Sequence, residues 1–249
     1  MTIWKRFEFA SRLTSAIKFR LIRFFHENIL FKSASKETIF TSIWRNNYWG
    51  NTESLSGIGS TLVQTAELRQ KIPMMFREFG INAVFDAPCG DMNWMRHLLR
   101  EANFTYLGGD IVDEIIEGNK KLFNSQKIKF VRFDITSDVF PVADLWLCRH
   151  VLFHFSNRDV FLALEKFAES KIKYILTTNC VTDSTHINKD IATGDWRSLN
   201  LILPPFNFPK DPFWEIDDYV APIPPMKISL WTREQIESVL PNLQKIYKR

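Results

Sequence analysis

From residue 81 onward, short apolar runs alternate with stretches in which apolar residues recur every three or four positions. That alternation predicts strands interleaved with helices, the pattern of a doubly wound, mostly parallel α/β sheet. Strands are expected over 82–86, 105–110, 128–133, 143–149 and 173–179, and helices over 93–101, 112–124 and 157–170. Near the C-terminus, 227–231 reads as a short strand, Thr232 as the cap of a helix running through Leu240, and 243–247 as a last strand. Residues 181–226 follow neither period, and an irregular connection of that length in a compact domain is usually functional.

Upstream the pattern changes. Ile3, Phe7, Ala10, Leu13, Ile17, Leu21 and Phe24 recur at helical steps with basic residues between them, which predicts an amphipathic helix. The chain carries a net charge of +4, but residues 1–36 alone hold eight basic side chains against Glu8 and Glu27, leaving the rest acidic. The basic character therefore belongs to an arm, taken as residues 1–40, ahead of a domain over 41–249. Such an arm can dock on the protein or a partner, lie on an anionic membrane surface, or serve as a targeting segment. A basic footprint over the domain is missing, so a nucleic-acid partner is not expected.

Between arm and domain, Trp44, Tyr48 and Trp49 lead into Ser54-Leu55-Ser56-Gly57-Ile58-Gly59-Ser60. Amide and aromatic residues running into a Ser/Gly stretch are turn chemistry with many hydrogen-bonding groups. Either it is a linker, or it is a loop that folds over a bound ligand; two tryptophans and a tyrosine favour the second. A helix is expected to start at Ser60 or Thr61 and run towards Pro73.

With 45% hydrophobic and 24% charged residues, 249 residues suffice for one domain with a substantial core. Cys89, Cys148 and Cys180 form no zinc spacing and no disulfide framework, and all fall beside apolar runs. Buried thiols, a reducing compartment and a cytoplasmic protein without a bound metal are the corresponding expectations, with membrane association through the arm as the alternative. Charges interrupt every apolar run before it reaches spanning length.

The chemistry gathers at strand ends. Val84-Phe85-Asp86-Ala87-Pro88-Cys89-Gly90-Asp91 reads as a buried strand ending in a tight turn that opens a helix, and ligands of open α/β sheets bind at such strand ends. Taken alone, it is equally an ordinary strand-to-helix turn. Yet Asp86, Asp110 and Asp134 end the first three strands at equal intervals of 24 residues, so each β–α unit delivers a carboxylate to one sheet edge. An acid after the second strand can accept both ribose hydroxyls, one after the third an exocyclic amine, and one on the first can face a cationic group.

These residues resemble the motifs of class I S-adenosylmethionine-dependent methyltransferases. Asp86-Ala87-Pro88-Cys89-Gly90-Asp91 resembles the first motif in a D-x-P-C-G variant, Gly109-Asp110-Ile111 the second, and Phe133-Asp134-Ile135 the third. Asp144 to His154 resembles the fourth strand and the segment facing the methyl group. Within that family the chain is similar to an uncharacterised subgroup sharing Trp49-Gly50, the Ser54–Ser60 loop, Thr193-Gly194-Asp195-Trp196-Arg197 and Pro204-Pro205-Phe206-Asn207. The subgroup often carries an acid where His150 stands, and Pro88-Cys89 replaces the early glycines of the usual first motif.

The resemblance implies a seven-stranded Rossmann-like sheet ending in an antiparallel hairpin, with S-adenosyl-L-methionine as cofactor. It implies cofactor contacts from Trp49, Ser56, Gly57, Ser60, Asp86, Ala87, Pro88, Cys89, Gly90, Trp94, Asp110, Ile111, Asp134, Ile135 and Arg149. Segment 181–226 becomes an acceptor-binding lid, with Asp195, Trp196, Arg197, Phe206 and Asn207 as contacts. A hydroxyl acceptor on a small molecule or glycan would use a general base, His154 first and His150 second. For His154 the alternative is a helix-start residue held by backbone; for Arg149, orientation of cofactor or anionic substrate, or a pair with a strand-end acid.

Three other readings are weaker. Leu203-Pro204-Pro205-Phe206 invites comparison with the N-P-P-[YF] motif of DNA amino-methylating enzymes, but it does not follow the fourth strand. A nicotinamide enzyme lacks its G-x-G-x-x-G fingerprint here. A non-catalytic relative, using the basic arm to bind a partner or a membrane surface, remains the alternative function. Oligomeric state is not legible.

Overall fold

The computed structural model describes residues 20–100 and 103–247. Seven strands form one sheet in the order β3-β2-β1-β4-β5-β7-β6. They are β1 (Ala83–Asp86), β2 (Thr105–Asp110), β3 (Ile128–Arg132), β4 (Leu145–Cys148), β5 (Tyr174–Cys180), β6 (Trp214–Asp217) and β7 (Met226–Thr232). The first five are mutually parallel, whereas β7 runs antiparallel to both β5 and β6. The helices are α1 (Lys36–Arg45), α2 (Ala66–Glu78), α3 (Met95–Leu99), α4 (Asp113–Phe123), α5 (Asn157–Ala168) and α6 (Arg233–Tyr247).

Strand periodicity sorts the core into two layers. Phe85, Trp146, Cys148 and Ile175 point to one face and meet α5 and α6 through Phe161, Leu164, Phe167, Ile236 and Leu243. Val84, Leu145, Leu147 and Leu176 point to the other and meet α2, α3 and α4 through Leu68, Ile72, Met95, Leu98 and Ile116. Central strands β4 and β5 are buried along their whole length, while edge strands β3 and β6 expose residues. That is the burial of a sheet covered by helices on both faces.

Local caps follow the sequence. The Ser35 hydroxyl caps α1 by accepting from the Thr38 N–H, and Ser156 caps α5 through Asp159. Thr232 and Gln235 form a reciprocal capping box at α6: each backbone N–H donates to the other's side chain, at 3.0 and 3.2 Å.

Four expectations are corrected. The helix expected from Ser60 or Thr61 begins instead at Ala66 and carries Pro73 inside it. Its buried positions Leu68, Ile72, Met75 and Phe76 keep one apolar face through the proline. Likewise, 243–247 is not a strand: α6 continues through Pro241 to Tyr247 because Ile236, Val239, Leu240 and Leu243 form an unbroken buried stripe. Strand 227–231 is the central member of the terminal hairpin, and its edge partner β6 lies inside the segment read as lid. Finally, the boundary placed at residue 40 falls within α1.

Of the arm helix expected from Ile3 to Phe24, the part before residue 20 lies outside the described residues. Residues 20–25 are helical, a π turn follows over His26–Leu30, and Phe31–Ser33 continue the helix. Its inner side is anchored by buried His26, whose Nε2 lies 3.0 Å from the Ser42 hydroxyl and Nδ1 2.7 Å from the Ile22 carbonyl. Phe31 packs with Ile39, Ile43, Tyr48 and Trp49. Gly194 meets this cluster at φ 106°, where an added Cβ would lie 2.7 Å from both Ile39 and Phe31. No helix among the described residues is long and apolar enough to cross a membrane.

Candidate functional site

The C-terminal ends of β1 to β4 open into a cavity. Asp86, Pro88, Cys89 and Gly90 from the β1 turn line it, with Asp110 and Ile111 after β2, Asp134 and Ile135 after β3, and Arg149, His150 and His154 after β4. Phe40 and Trp44 of α1, with Trp49, Ser56 and Ser60, line it from the N-terminal side. Of the expected cofactor contacts, only Gly57 and Ala87 do not line it. Ala87 instead accepts the Trp146 indole N–H on its carbonyl at 2.9 Å, and Gly57 packs on Trp49.

The β1 turn is built around Gly90, whose φ of 57° favours glycine; an added Cβ would stand 2.4 Å from the Ser56 hydroxyl oxygen. The Asp110 carboxylate accepts the Gly90 N–H at 3.1 Å and the Val112 N–H at 3.0 Å, linking the first two motifs. From α4, Asn119 donates to the Gly90 carbonyl at 2.8 Å.

The Ser/Gly stretch folds onto this turn. Asp91 accepts the Ser54 hydroxyl at 2.8 and 3.0 Å and the Leu55 N–H at 2.9 Å, while its own N–H donates to Ser56 at 3.0 Å. Glu53 reaches further, accepting the Leu62 N–H at 2.7 Å and the Asn93 amide at 2.9 Å. Hydrogen bonds of this number make the stretch a fixed wall of the cavity.

Two of the strand-end acids are buried without a salt-bridge partner among the described residues. Burial pushes Asp86 up to about 7, opposed by the hydrogen bond from the Tyr106 hydroxyl at 2.6 Å and aided by repulsion from Asp110. Asp110 is pushed to about 6, again chiefly by burial, against the three backbone N–H groups that favour its charged form. Asp134 is more open: it accepts the Thr136 N–H and hydroxyl at 2.9 and 2.7 Å, and Lys36 lies 3.8 Å away.

On the opposite side, Arg149 is clamped. Its guanidinium donates to Asp218 at 2.7 and 2.9 Å and to the Gly59 carbonyl at 2.8 Å, and it lies 5.5 Å over the Trp94 ring. His150 Nε2 is 3.2 Å from the same Asp218 carboxylate. Burial and Arg149 lower the pKa of His150, while for Asp218 burial is outweighed by Arg149 and the neighbouring His150, and its own is lowered. Asp218 sits just beyond β6 with its side chain fully buried. Nearby, Gln64 exchanges two 2.7 Å hydrogen bonds with the Val220 backbone.

His154 is oriented by backbone: its Nδ1 lies 2.8 Å from the Asp195 carbonyl, an acceptor, so Nδ1 carries the proton. Nε2 is left with a free lone pair and no hydrogen-bond partner among the described residues. Burial lowers the group to about 4, keeping it neutral. Its ring lies 5.3 Å from that of Trp49.

The expected lid contacts divide. Asp195 and Trp196 line a second cavity, which shares Trp49 and His154 with the first. Arg197, Phe206 and Asn207 line neither cavity. Arg197 is buried and donates to the Phe155 and Lys189 carbonyls, Phe206 is fully buried in the core, and Asn207 donates to its neighbour Pro205. Leu199, Leu201 and Phe208 are buried with Phe206, so this part of the segment completes the core.

Asp218 and Tyr106 were missed by sequence reading. Tyr106 left one signal: a phenol inside a parallel strand needs a buried partner for its hydroxyl. Asp218 left none, because its partners are 69 residues away.

No family model matches the sequence, and no curated protein sequence matches it. Solved structures do. Human N-acetylserotonin methyltransferase in complex with S-adenosylmethionine aligns at TM-score 0.54 and 15% identity, over 85% of this chain and 65% of that one. Magnesium protoporphyrin IX methyltransferase from Synechocystis, with bound S-adenosylhomocysteine, aligns at 0.55 and 13%, over 80% of this chain and all of that one. A Leishmania major S-adenosylmethionine-dependent methyltransferase aligns at 0.56 and 13%, over 80% and 87%. The present chain thus spans just under two thirds of the human enzyme. Together with the strand order, these alignments show that the chain has the Rossmann-like class I methyltransferase fold.

Proposed function

We propose that this protein transfers a methyl group from S-adenosyl-L-methionine to a hydroxyl of a small-molecule or glycan acceptor. The observation that carries the reading is the pair of buried carboxylates, Asp86 and Asp110, which line one cavity together with Asp134 and form no salt bridge among the described residues. Buried acids hydrogen-bonded but not ion-paired suit a ligand that brings positive charge and further hydrogen-bond donors. An aminoacyl nucleoside sulfonium meets that demand. Asp110 retains acceptor capacity for ribose hydroxyls, Asp134 and Ile135 would hold the adenine, and Asp86 would face the cationic amino-acid end. The complexes named for the human and Synechocystis neighbours support the same cofactor.

When bound, the sulfonium supplies an electrophilic methyl carbon together with its leaving group. The residues of the chain exclude water, fix the angle of approach and handle the acceptor proton. Trp49, Trp94 and Phe40 supply apolar walls. His154 Nε2, the free lone pair at the cavity, accepts the hydroxyl proton, while Nδ1 keeps its own proton on the Asp195 carbonyl. His150 Nε2, 3.2 Å from the Asp218 carboxylate and without a hydrogen bond, is the second candidate for that role.

Calorimetric titration with S-adenosylhomocysteine tests the cofactor, and labelled methyl transfer to pooled nucleotide sugars, glycans and small alcohols tests the reaction. Absence of heat with both the methylated and demethylated cofactor refutes the proposal. A second reading, a non-catalytic protein held to a membrane by its arm, draws on the exposed Leu21, Phe24, Phe25 and Ile29 together with the basic N-terminal residues. Flotation on anionic vesicles, with and without residues 1–36, tests it.

A further inference from the structure

The second cavity adjoins the first through Trp49 and His154. Its remaining lining comes from three places: Arg23 on the arm, Tyr48 after α1, and Asp195 with Trp196 beyond β5. An acceptor approaching His154 Nε2 from outside the cofactor cavity would therefore pass between the arm and the segment after β5.

We infer that this second cavity is the acceptor subsite and that it receives an uncharged, hydroxylated ring, a glycosyl unit, rather than an anion or a planar aromatic. The inference rests on the methyl-transfer reading and adds to it the class of acceptor.

Charge comes first. Arg23 is the sole cation lining this cavity among the described residues, and it is held by Glu27 at 2.7 Å. Glu27 also accepts the Tyr48 hydroxyl at 3.4 Å, and the Asp195 carboxylate adds a second negative charge, with one oxygen bound to the Trp196 N–H at 2.8 Å. With Arg23 paired to Glu27 behind it, the Asp195 carboxylate leaves the lining negative and repels a phosphate or carboxylate ligand. Shape and polarity come next. Two indoles, Trp49 and half-exposed Trp196, offer flat apolar faces suited to the C–H face of a saturated ring. Around them stand a guanidinium, a phenol, a carboxylate and an imidazole lone pair. A ring with several hydroxyls can satisfy these donors and acceptors together, whereas a planar aromatic would desolvate them without replacement.

The experiment uses the full chain saturated with S-adenosylhomocysteine and reads saturation-transfer NMR. The probes are methyl glycosides of hexoses, 6-deoxyhexoses and N-acetylhexosamines, alongside glucuronic acid, glucose 6-phosphate and p-cresol. Saturation transfer to the uncharged glycosides is expected, falling at least threefold in Trp196→Ala and in Asp195→Asn while affinity for S-adenosylhomocysteine stays within twofold. Bound S-adenosylhomocysteine with no glycoside signal, or a stronger signal from the acids or from p-cresol, overturns the inference and leaves the methyl-transfer reading standing. A glycoside signal in a protein that binds neither form of the cofactor does the reverse: it upholds the sugar site and removes methyl transfer.

Discussion

Replacing Asp86 by Asn isolates the energetic cost of a buried acid in the cavity at the strand ends. Burial raises the Asp86 pKa from 3.8 to about 7, so the folded protein holds this proton where the unfolded chain has released it. Stability is then greatest below the unfolded pKa and falls as pH rises through the folded one. At 1.36 kcal/mol per pH unit the whole effect is about 4 kcal/mol, of which about 3 kcal/mol develops between pH 5 and pH 8. His154, lowered to about 4 by burial, acts in the opposite sense over part of that range, so the wild-type profile alone is not diagnostic. The difference between wild type and Asp86→Asn is, because His154 is common to both.

Asn is close in shape, stays neutral and can still accept the Tyr106 hydroxyl. In urea titrations without cofactor, Asp86→Asn should therefore gain on wild type as pH rises from 5 to 8, by an amount on the order of 3 kcal/mol, or ~6–12 °C in Tm. A bound ammonium or sulfonium ionises the wild-type carboxyl, so S-adenosylhomocysteine binding near pH 6 should release a proton, visible as a heat that depends on the buffer. Asp86→Asn should lose that dependence. Parallel stability curves across pH 5–8, with equal proton release in both proteins, would refute the placement of a strained acid at this cavity.

Asp110→Ala removes the acceptor assigned to the ribose, and loss of charged hydrogen bonds worth about 1.5–3 kcal/mol should weaken S-adenosylhomocysteine binding roughly 10- to 100-fold by calorimetry. Unchanged affinity sinks that assignment. For His154→Ala the expected pattern is a fall in kcat of about 10²- to 10⁴-fold with cofactor affinity nearly unaltered; a comparable loss in both points to packing instead. Asp218→Ala leaves the buried guanidinium of Arg149 unpaired, a destabilisation of about 3–5 kcal/mol in urea unfolding, and Asp218→Asn should recover part of it.

The parts of this fold legible in the sequence were those governed by local period. Strands β1 to β5 announced themselves as apolar runs, and the even spacing of Asp86, Asp110 and Asp134 located the cavity edge that they line together. What escaped was set by contacts distant along the chain. Strand β6 is short, alternates exposed and half-buried residues at a sheet edge, and gains its identity from pairing with β7. Pro73 and Pro241 read as terminators, yet each helix continues because its buried stripe resumes beyond the proline. Phe206 and Arg197 looked like exposed lid contacts in a proline-rich run, but that run carries Leu199, Leu201 and Phe208 into the core.

The order of the site depends on the same distant contacts. Arg149 draws together three separate segments: the Ser/Gly loop through the Gly59 carbonyl, the end of β4 on which it stands, and the loop beyond β6 through Asp218. Gln64 ties the first and last of these a second time through Val220. A buried ion pair is a weak source of net stability, but an unpaired buried charge is expensive, so alternative loop positions that separate Arg149 from Asp218 are strongly disfavoured. The value of the pair lies in selecting one geometry. Asp91 imposes the same choice from the floor, gripping Ser54, Leu55 and Ser56 directly beside the β1 turn. With its walls held before any ligand arrives, the cavity spends little binding energy on ordering loops, and under the proposed function that energy remains for orienting the ligand.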